Sequence, residues 1–555
     1  MRSFLIAVVV AFAVALPAGA ARSAPPLSLP DRWLYVSTNL LVDRNVDDLQ
    51  PLFLRAGRAG CTGVLLSDSK FGRLAQMDRR YFANVDRVKK LAAADHLEII
   101  PALFELGYSE SLLSQDPNLA EGLPVRDAPF VVENNEARPV PDATARLKDS
   151  SMARLARWDW HDPCVTEDNG AAKMTDPHGA NARIAQKVTL QPFREYHIQV
   201  RVKTQDFQGT PEVKVLTPDG RSLVYSDLGV RRTQDWTVHH VMFNSLDSRA
   251  ATVYFGAWGA GTGTVWWKDA VLEAAPLVNL VRRDGAPLTI MALPPGATTP
   301  RTLEEGRDFD RLFDPKMGNQ PWSGAFDVYH VPPVIHTHGL PDGTRLAVSF
   351  YHAITVGDGQ VMICPSEPKT VALLRDEARR VHAAWGAKAY FMSHDEIRVL
   401  NWDESCQRRH LTPGQIMADN VRTCINILNE VNPGGRIYVW SDMFDPNHNA
   451  HDRYYLVNGD LAGSWDGLGR DVIVAVWYRQ KRAESMKFFA DRGNRMIVAG
   501  YYDEPVANLR QWLDAAEALT PAGTPSLVRG TIYTTWQRHY QDLEAFERIV
   551  DDYRR

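Results

Sequence analysis

The chain has 555 residues, 45 % hydrophobic and 23 % charged, with 62 Lys plus Arg against 67 Asp plus Glu for a formal charge of −5. These are globular values and exclude a disordered or fibrous chain. So small a charge on so large a surface leaves no electrostatic footprint for nucleic acid or an anionic membrane.

Met1-Arg2, the apolar run Phe4–Leu16 and the small residues Pro17-Ala18-Gly19-Ala20 have the pattern of a secretory signal peptide over residues 1–24. The run is shorter than the ~20 residues of a spanning helix. The expectation is a secreted or periplasmic protein with no membrane segment after cleavage. Three short apolar runs follow, each ending in polar residues: Trp33–Asn39, Gly63–Asp68 and Leu97–Glu105. Between the second and third, Phe82, Val85, Val88, Leu91 and Ala92 recur at helical spacing. Residues 25–145 therefore read as the first part of an α/β fold.

From about 146 the helical period disappears. Alternating runs such as Tyr196–Val202, Glu212–Leu216, Thr237–Phe243 and Ala251–Gly256, with turn residues such as Pro218-Asp219-Gly220 between them, predict an inserted antiparallel β-sandwich over 146–275. Residues 276–340 read as a β-rich return segment. Apolar runs resume over 341–555: Arg345–His352, Ala389–Glu396, Arg436–Asp442, Val472–Tyr478, Arg495–Glu504 and Val528–Trp536, with helices over Glu367–Trp385 and from Thr412-Pro413 onward. Strands alternating with helices mean parallel β, and near-continuous apolar strands mean that both faces are covered. The predicted fold is a (β/α)8 TIM barrel interrupted by a jelly-roll-like sandwich. Nine candidate strands compete for eight places, and Arg345–His352 is the doubtful one.

A barrel of this kind keeps its active site at the carboxyl ends of the strands. Those ends carry Asn39, Asp68, Glu105, His352, His394-Asp395-Glu396, Trp440 and Asp442, Trp477-Tyr478, Tyr502, Glu504 and Trp536. Aromatics that stack on pyranose faces and carboxylates that bond hydroxyls or move protons suit a glycan partner. Side chains alternate along a strand, so Asp395 and Glu396 diverge, and one can protonate a leaving oxygen while the other orients a second group. His394 reads equally as an ordinary strand-end histidine and His352 more weakly still. Asp403-Glu404 reads as a solvated loop pair. Asp445, His448, His451 and Asp452 read as a polar loop, and no Gly-rich phosphate loop follows a strand, so neither metal nor cofactor is expected. The five cysteines match no zinc or redox spacing; Cys406 and Cys424 are the nearest pair in sequence.

Over roughly 361–545 the chain resembles the β-N-acetylhexosaminidases of glycoside hydrolase family 20 and related families that cleave through the substrate's own acetamido group. Cys364-Pro365-Ser366-Glu367-Pro368, Asp395-Glu396, Trp440-Ser441-Asp442-Met443, Trp477-Tyr478, Tyr501-Tyr502-Asp503 and Gly530 through Trp536 carry the resemblance, in that order. It implies Glu396 as general acid/base and Asp395 as the partner of the attacking acetamido group. It also implies a sugar pocket walled by Trp440, Trp477, Tyr502 and Trp536. Phe391-Met392-Ser393-His394 stands where that family has His-x-Gly-Gly, and Gln537 where it has an acidic residue. The run Gly263–Asp269 resembles the closing strand of jelly-roll carbohydrate-binding modules. Two other functions fit the same residues: a retaining glycosidase on neutral sugars with Glu396 as acid/base and Glu504 as nucleophile, and a non-catalytic glycan-binding protein on a decayed barrel.

Overall fold

The computed structural model describes residues 27–175, 180–259, 261–318, 325–357, 359–520 and 524–553. The signal segment 1–24 lies outside them. Eight parallel strands close into a barrel in chain order: β1 (Asp31–Thr38), β2 (Gly63–Asp68), β3 (Glu98–Leu103), β4 (Ala389–Met392), β5 (Arg436–Trp440), β6 (Ile473–Val476), β7 (Arg495–Tyr501) and β8 (Val528–Thr534). Alternation sorts the side chains. Trp33, Leu65, Ile100, Phe391, Tyr438, Ile473, Ile497 and Ile532 fill the interior. Their neighbours Leu34, Val64, Leu66, Val439, Val474 and Val498 face outward to the helices.

Closure comes where β8 pairs with β1, Asp31 opposite Gly530. A Cβ on Gly530 would lie 1.7 Å from the Asp31 carbonyl oxygen, so only glycine lets the two strands meet. The seam is locked from outside. Arg32 Nε donates to Glu547 Oε2 at 2.6 Å and Nη1 to Asp551 Oδ1 at 2.9 Å, fastening β1 to the last helix, Leu543–Tyr553.

Helices Asp43–Ala59, Arg79–Ala94, Pro368–Trp385, Pro413–Val431, Arg482–Asp491, Asn508–Ala518 and Leu543–Tyr553 surround the strands. Their ends follow from local chemistry. Asp78 accepts from the N–H groups of Arg80 and Tyr81, and Thr412 and Gln415 form a reciprocal capping box ahead of Pro413. Between β5 and β6, among the described residues, only short 3-10 turns at Asp442–Phe444 and Ser464–Gly467 stand where a helix is expected. No described helix is long and apolar enough to cross a membrane.

The chain between β3 and β4 builds three further sheets. One is antiparallel and joins Leu123–Glu133, Glu136–Pro139, Leu280–Val281, Thr289–Leu293, Arg301–Thr302, Ile335–His336 and Arg345–His352 around its own apolar core. The doubtful ninth strand, Arg345–His352, is therefore outside the barrel, paired with Leu123–Glu133 from Leu123↔His352 to Arg345↔Val131. This accessory sheet draws Leu123–Pro139 and Arg345–His352 away from the segments 25–145 and 341–555 that the sequence reading gives to the barrel. A one-sided antiparallel strand and a barrel strand look alike when their partners lie far off in sequence.

The other two sheets have five antiparallel strands each. One holds Val165–Asp168, Ala171–Thr175, Glu195–Gln208, Gln234–Asn244 and Thr262–Ala274. The other holds Trp160–His161, Ala182–Thr189, Pro211–Leu216, Ser222–Asp227 and Ala250–Ala257. Trp267 of the first is fully buried and meets Phe255 of the second edge-on at 5.9 Å. The Trp266-Trp267 pair is thus divided: Trp267 is core, and Trp266 turns to Asp168, donating its Nε1–H at 2.9 Å.

Candidate active site

The carboxyl ends of the barrel strands enclose a cavity of about 680 Å³. Tyr35 and Ser37 from β1, Ser67 from β2, Glu105 after β3, Ser393, Asp395 and Glu396 after β4, Trp440 from β5, Trp477 after β6 and Trp536 after β8 line it. The insertion adds to the wall: Thr210, Glu212 and Asp227 come from one end of a five-stranded sheet.

The strand ends are held together by backbone. Ser393 N donates to the Leu103 carbonyl at 2.7 Å, joining β4 to β3. The loop after β3 then passes so close that a Cβ on Gly107 would lie 2.0 Å from the Asp395 carbonyl oxygen. Glu396 takes a left-handed backbone, φ 49°, uncommon for a non-glycine residue. That twist sends its N–H to Asp442 Oδ2 at 2.8 Å. Its side chain enters the cavity, where Oε1 pairs with Arg398 Nη2 at 3.0 Å and Oε2 accepts a hydrogen bond from Tyr108 Oη. Arg398 is in turn held by Gln360 Oε1, and Gln360 Nε2 donates to the Gly107 carbonyl at 3.1 Å.

Three carboxyls in or behind this cavity are pushed toward the neutral form. Burial, with the charges of Asp442 and Glu396 added, holds Asp395 well above the ordinary carboxylate range. Burial raises Asp442 to about 7, against the hydrogen bonds it accepts from Glu396 N–H, Asn449 and Trp477. Glu105, which accepts from Ser67 Oγ at 3.0 Å, is raised to about 8 by burial and the charge of Glu377.

Glu377 sits on the helix Pro368–Trp385 behind β3. Its Oε1 accepts from the Phe104 N–H at 3.4 Å, its Oε2 has no partner among the described residues, and burial raises its pKa from 4.5 to about 8. The proton it keeps in the fold stabilises the protein fully below the lower value, and that contribution is lost as pH climbs toward the upper one. Glu377→Gln cannot ionise, so its urea midpoint relative to the parent should rise between about pH 4 and about pH 8.5. A difference that stays constant across that range would contradict the buried-acid reading.

Aromatic rings wall the other side. Tyr35 meets Trp536 at 5.2 Å and Trp440 at 6.3 Å and Trp440 meets Trp536 at 6.1 Å, while Tyr502, outside the lining, backs Trp477 at 6.1 Å and Trp536 at 6.0 Å. Trp536 remains half exposed, an open face for a flat apolar ligand surface. It is fixed by Asp503, whose Oδ2 accepts the Trp536 N–H at 2.8 Å. Tyr501, Tyr502 and Asp503 all have positive φ, a kink that turns Tyr502 inward. The Tyr502 hydroxyl is buried without a partner among the described residues.

Several sequence expectations move. His352 is buried outside the cavity, with Nδ1 3.3 Å from Glu195 Oε1 and Nε2 3.0 Å from Asn244 Nδ2, and burial lowers its pKa to about 3. It ties the accessory sheet to a five-stranded sheet and does not line the cavity. His394 points away from the cavity to Asn420 Oδ1 at 3.1 Å and is lowered to about 4 by burial; its neighbour Asp395 takes the inward face. Glu504 is turned to Arg479 Nη1 at 2.9 Å and does not line the cavity, so it is not placed to attack a sugar there. Tyr478 stacks on His448 at 4.2 Å, outside the lining, and Asp442 acts from behind, through Glu396 and Trp477. Asp403 is fully buried and caps the helix Glu404–Gln407, not a solvated loop residue. Cys406 faces Cys364, whereas Cys424 lies against Asn420. Tyr108, Gln360 and Arg398 escape sequence reading, because they lie in loops with no periodic signal.

No family model matches the chain, and no curated protein matches it. Among solved structures, a rhamnosidase from Novosphingobium sp. PP1Y aligns at 12 % identity over 95 % of this chain and 59 % of its own, with a TM-score of 0.34. A CBM4 structure aligns at 16 % identity over 23 % of this chain and 94 % of its own, TM-score 0.19. A family 29 carbohydrate-binding module aligns at 14 % identity over 24 % and 89 %, TM-score 0.19.

Proposed function

We propose that the protein is an exported glycoside hydrolase acting on β-linked N-acetylhexosaminides by substrate-assisted retaining catalysis. The observation that carries the reading is one cavity that joins Asp395 and Glu396 to an open aromatic wall of Tyr35, Trp440, Trp477 and Trp536. An aromatic wall binds a pyranose face, and carboxyls opposite it act on the glycosidic oxygen and its neighbours.

Adjacent carboxyls backed by a buried third do not all ionise together. Burial, with the charges of Asp442 and Glu396 beside it, favours the neutral form of Asp395. An acetamido N–H set against Asp395 favours its carboxylate, and the proton given up is the one Glu396 holds for the leaving oxygen. The acetamido oxygen then closes on the anomeric carbon, and the glycosidic bond breaks as Glu396 gives its proton to the leaving oxygen. Asp395, now a carboxylate, holds the amide N–H of the positively charged ring. In the second step water attacks the anomeric carbon, the bond from that carbon to the acetamido oxygen breaks and restores the acetamido group, and the proton of the water passes to Glu396, so the sugar leaves with its configuration retained. The paired five-stranded sheets are read as a jelly-roll-like β-sandwich, with Thr210, Glu212 and Asp227 reaching sugar units beyond the one cleaved.

Aryl glycosides and β-linked oligomers, assayed for released sugar, test the reading. Turnover of N-acetylhexosaminides, inhibited by a thiazoline analogue of the cyclised intermediate, is expected. Turnover confined to sugars without an acetamido group, or a fluorosugar label on Glu504, would overturn the substrate-assisted route. Binding across the panel with no released sugar would overturn the enzyme.

A further inference from the structure

Away from the cavity, three segments bring Glu121, Cys364, Asp403 and Cys406 together in the interior. One donor atom from each lies within 4.8 Å of all the others, and all four residues are buried. Glu121 belongs to the chain leaving β3 for the accessory sheet, Cys364 to the chain returning toward β4, and Asp403 and Cys406 to the loop that follows Asp395-Glu396.

The edges of this cluster have informative lengths. Cys364 Sγ and Cys406 Sγ are 3.7 Å apart, Cys364 Sγ is 3.5 Å from Asp403 Oδ1, and Cys406 Sγ is 3.5 Å from Glu121 Oε2. Zinc bonds of about 2.3 Å to sulfur and about 2.0–2.2 Å to oxygen make a tetrahedron with S···S edges of about 3.8 Å and S···O edges of about 3.6 Å.

The carboxylates are oriented from behind. Glu121 turns Oε2 inward while its Oε1 accepts the Trp402 N–H at 2.8 Å; Asp403 turns Oδ1 inward while its Oδ2 takes Arg283. Such outer bonds hold the ligands of a metal site in place. Arg283 is the cation bonded to the cluster, and it is shared with Glu367 at 2.8 Å. Two thiolates and two carboxylates carry four negative charges against the one positive charge of the guanidinium, so a divalent cation is not over-compensated there.

We propose that Glu121, Cys364, Asp403 and Cys406 form a closed tetrahedral site for a structural zinc ion, which staples the neck of the insertion to the loop carrying the catalytic pair. All four positions are taken by side chains, so the ion has no open place for water or substrate and acts by fixing the loop.

The test uses the mature protein, freed of metal by a chelator under reducing conditions and then given zinc chloride or cobalt chloride. One zinc per chain retained through gel filtration is expected, with a higher thermal midpoint for the zinc-loaded protein. The cobalt form should show the intense near-ultraviolet thiolate-to-metal band and the visible bands of a tetrahedral site. Cys364→Ser with Cys406→Ser should abolish the band, and Glu121→Gln, the milder change should folding suffer, should weaken retention. Folded, reduced parent protein that retains neither metal, or peptide mapping that finds Cys364 joined to Cys406 by a disulfide in protein exported in the presence of zinc, would overturn the site. Failure of the glycosidase assay would leave this readout untouched, because metal content and the cobalt spectrum do not depend on turnover.

Discussion

Glu396→Gln is expected to lower kcat on a β-linked N-acetylhexosaminide oligomer by about 10³-fold, within the range of a lost general acid, with KM changed only a few-fold. The isosteric amide still fills the space beside Arg398 and Tyr108 and keeps the backbone bond to Asp442, so the cavity survives. What disappears is the transferable proton. The loss should be smaller on a nitrophenyl glycoside, whose leaving oxygen needs little protonation, and this substrate dependence separates a lost acid from a disturbed pocket. Steady-state kinetics on the two substrates checks it. Equal losses on both would point to misfolding of the loop, and parent-like turnover on the oligomer would remove Glu396 from the chemistry.

Arg32→Ala is expected to cost about 3–5 kcal/mol of stability, the range for removing one partner of a buried ion pair. Arg32 and Glu547 are 5 % and 1 % exposed, so the deletion strands a carboxylate in the interior where water cannot replace the guanidinium. The same change releases the last helix from β1, at the seam where the barrel closes. Denaturant unfolding measures the loss, and the paired change Arg32→Met with Glu547→Leu should recover most of it, since an apolar pair removes the stranded charge. A loss below about 1 kcal/mol in the single variant would show that the pair is open to solvent.

The barrel was legible because its strands are buried on both faces and read as unbroken apolar runs; Gly63–Asp68 has the same limits in sequence and structure. The ends that carry Asp395, Glu396, Trp440, Trp477 and Trp536 were legible for the same reason. What a strand end does not reveal is which side chain faces in. His394 and Asp395 are neighbours in sequence and take opposite sides, and His352 ends a strand of another sheet. The accessory sheet was hidden by distance, Leu123–Glu133 finding its partner only at Arg345–His352. Asp403 looks solvated in sequence because the residue that neutralises it, Arg283, belongs to the return segment. Glu105 follows β3 by two residues, beyond the positive φ of Phe104, a turn that apolar patterning does not encode.

The pairing of Leu123 with His352 also bears on how the molecule assembles. Barrel strands β3 and β4 meet at Phe391↔Ala102, so their contact closes a loop containing residues 104–388. Once the accessory sheet has formed, its own pairing brings 123 and 352 side by side, and only 104–122 and 353–388 remain to be closed. The effective loop is then roughly five-fold shorter, which lowers the entropic cost of joining β3 to β4 by about 1.5 kcal/mol. The insertion, which lengthens the barrel's connection in sequence, shortens it in space.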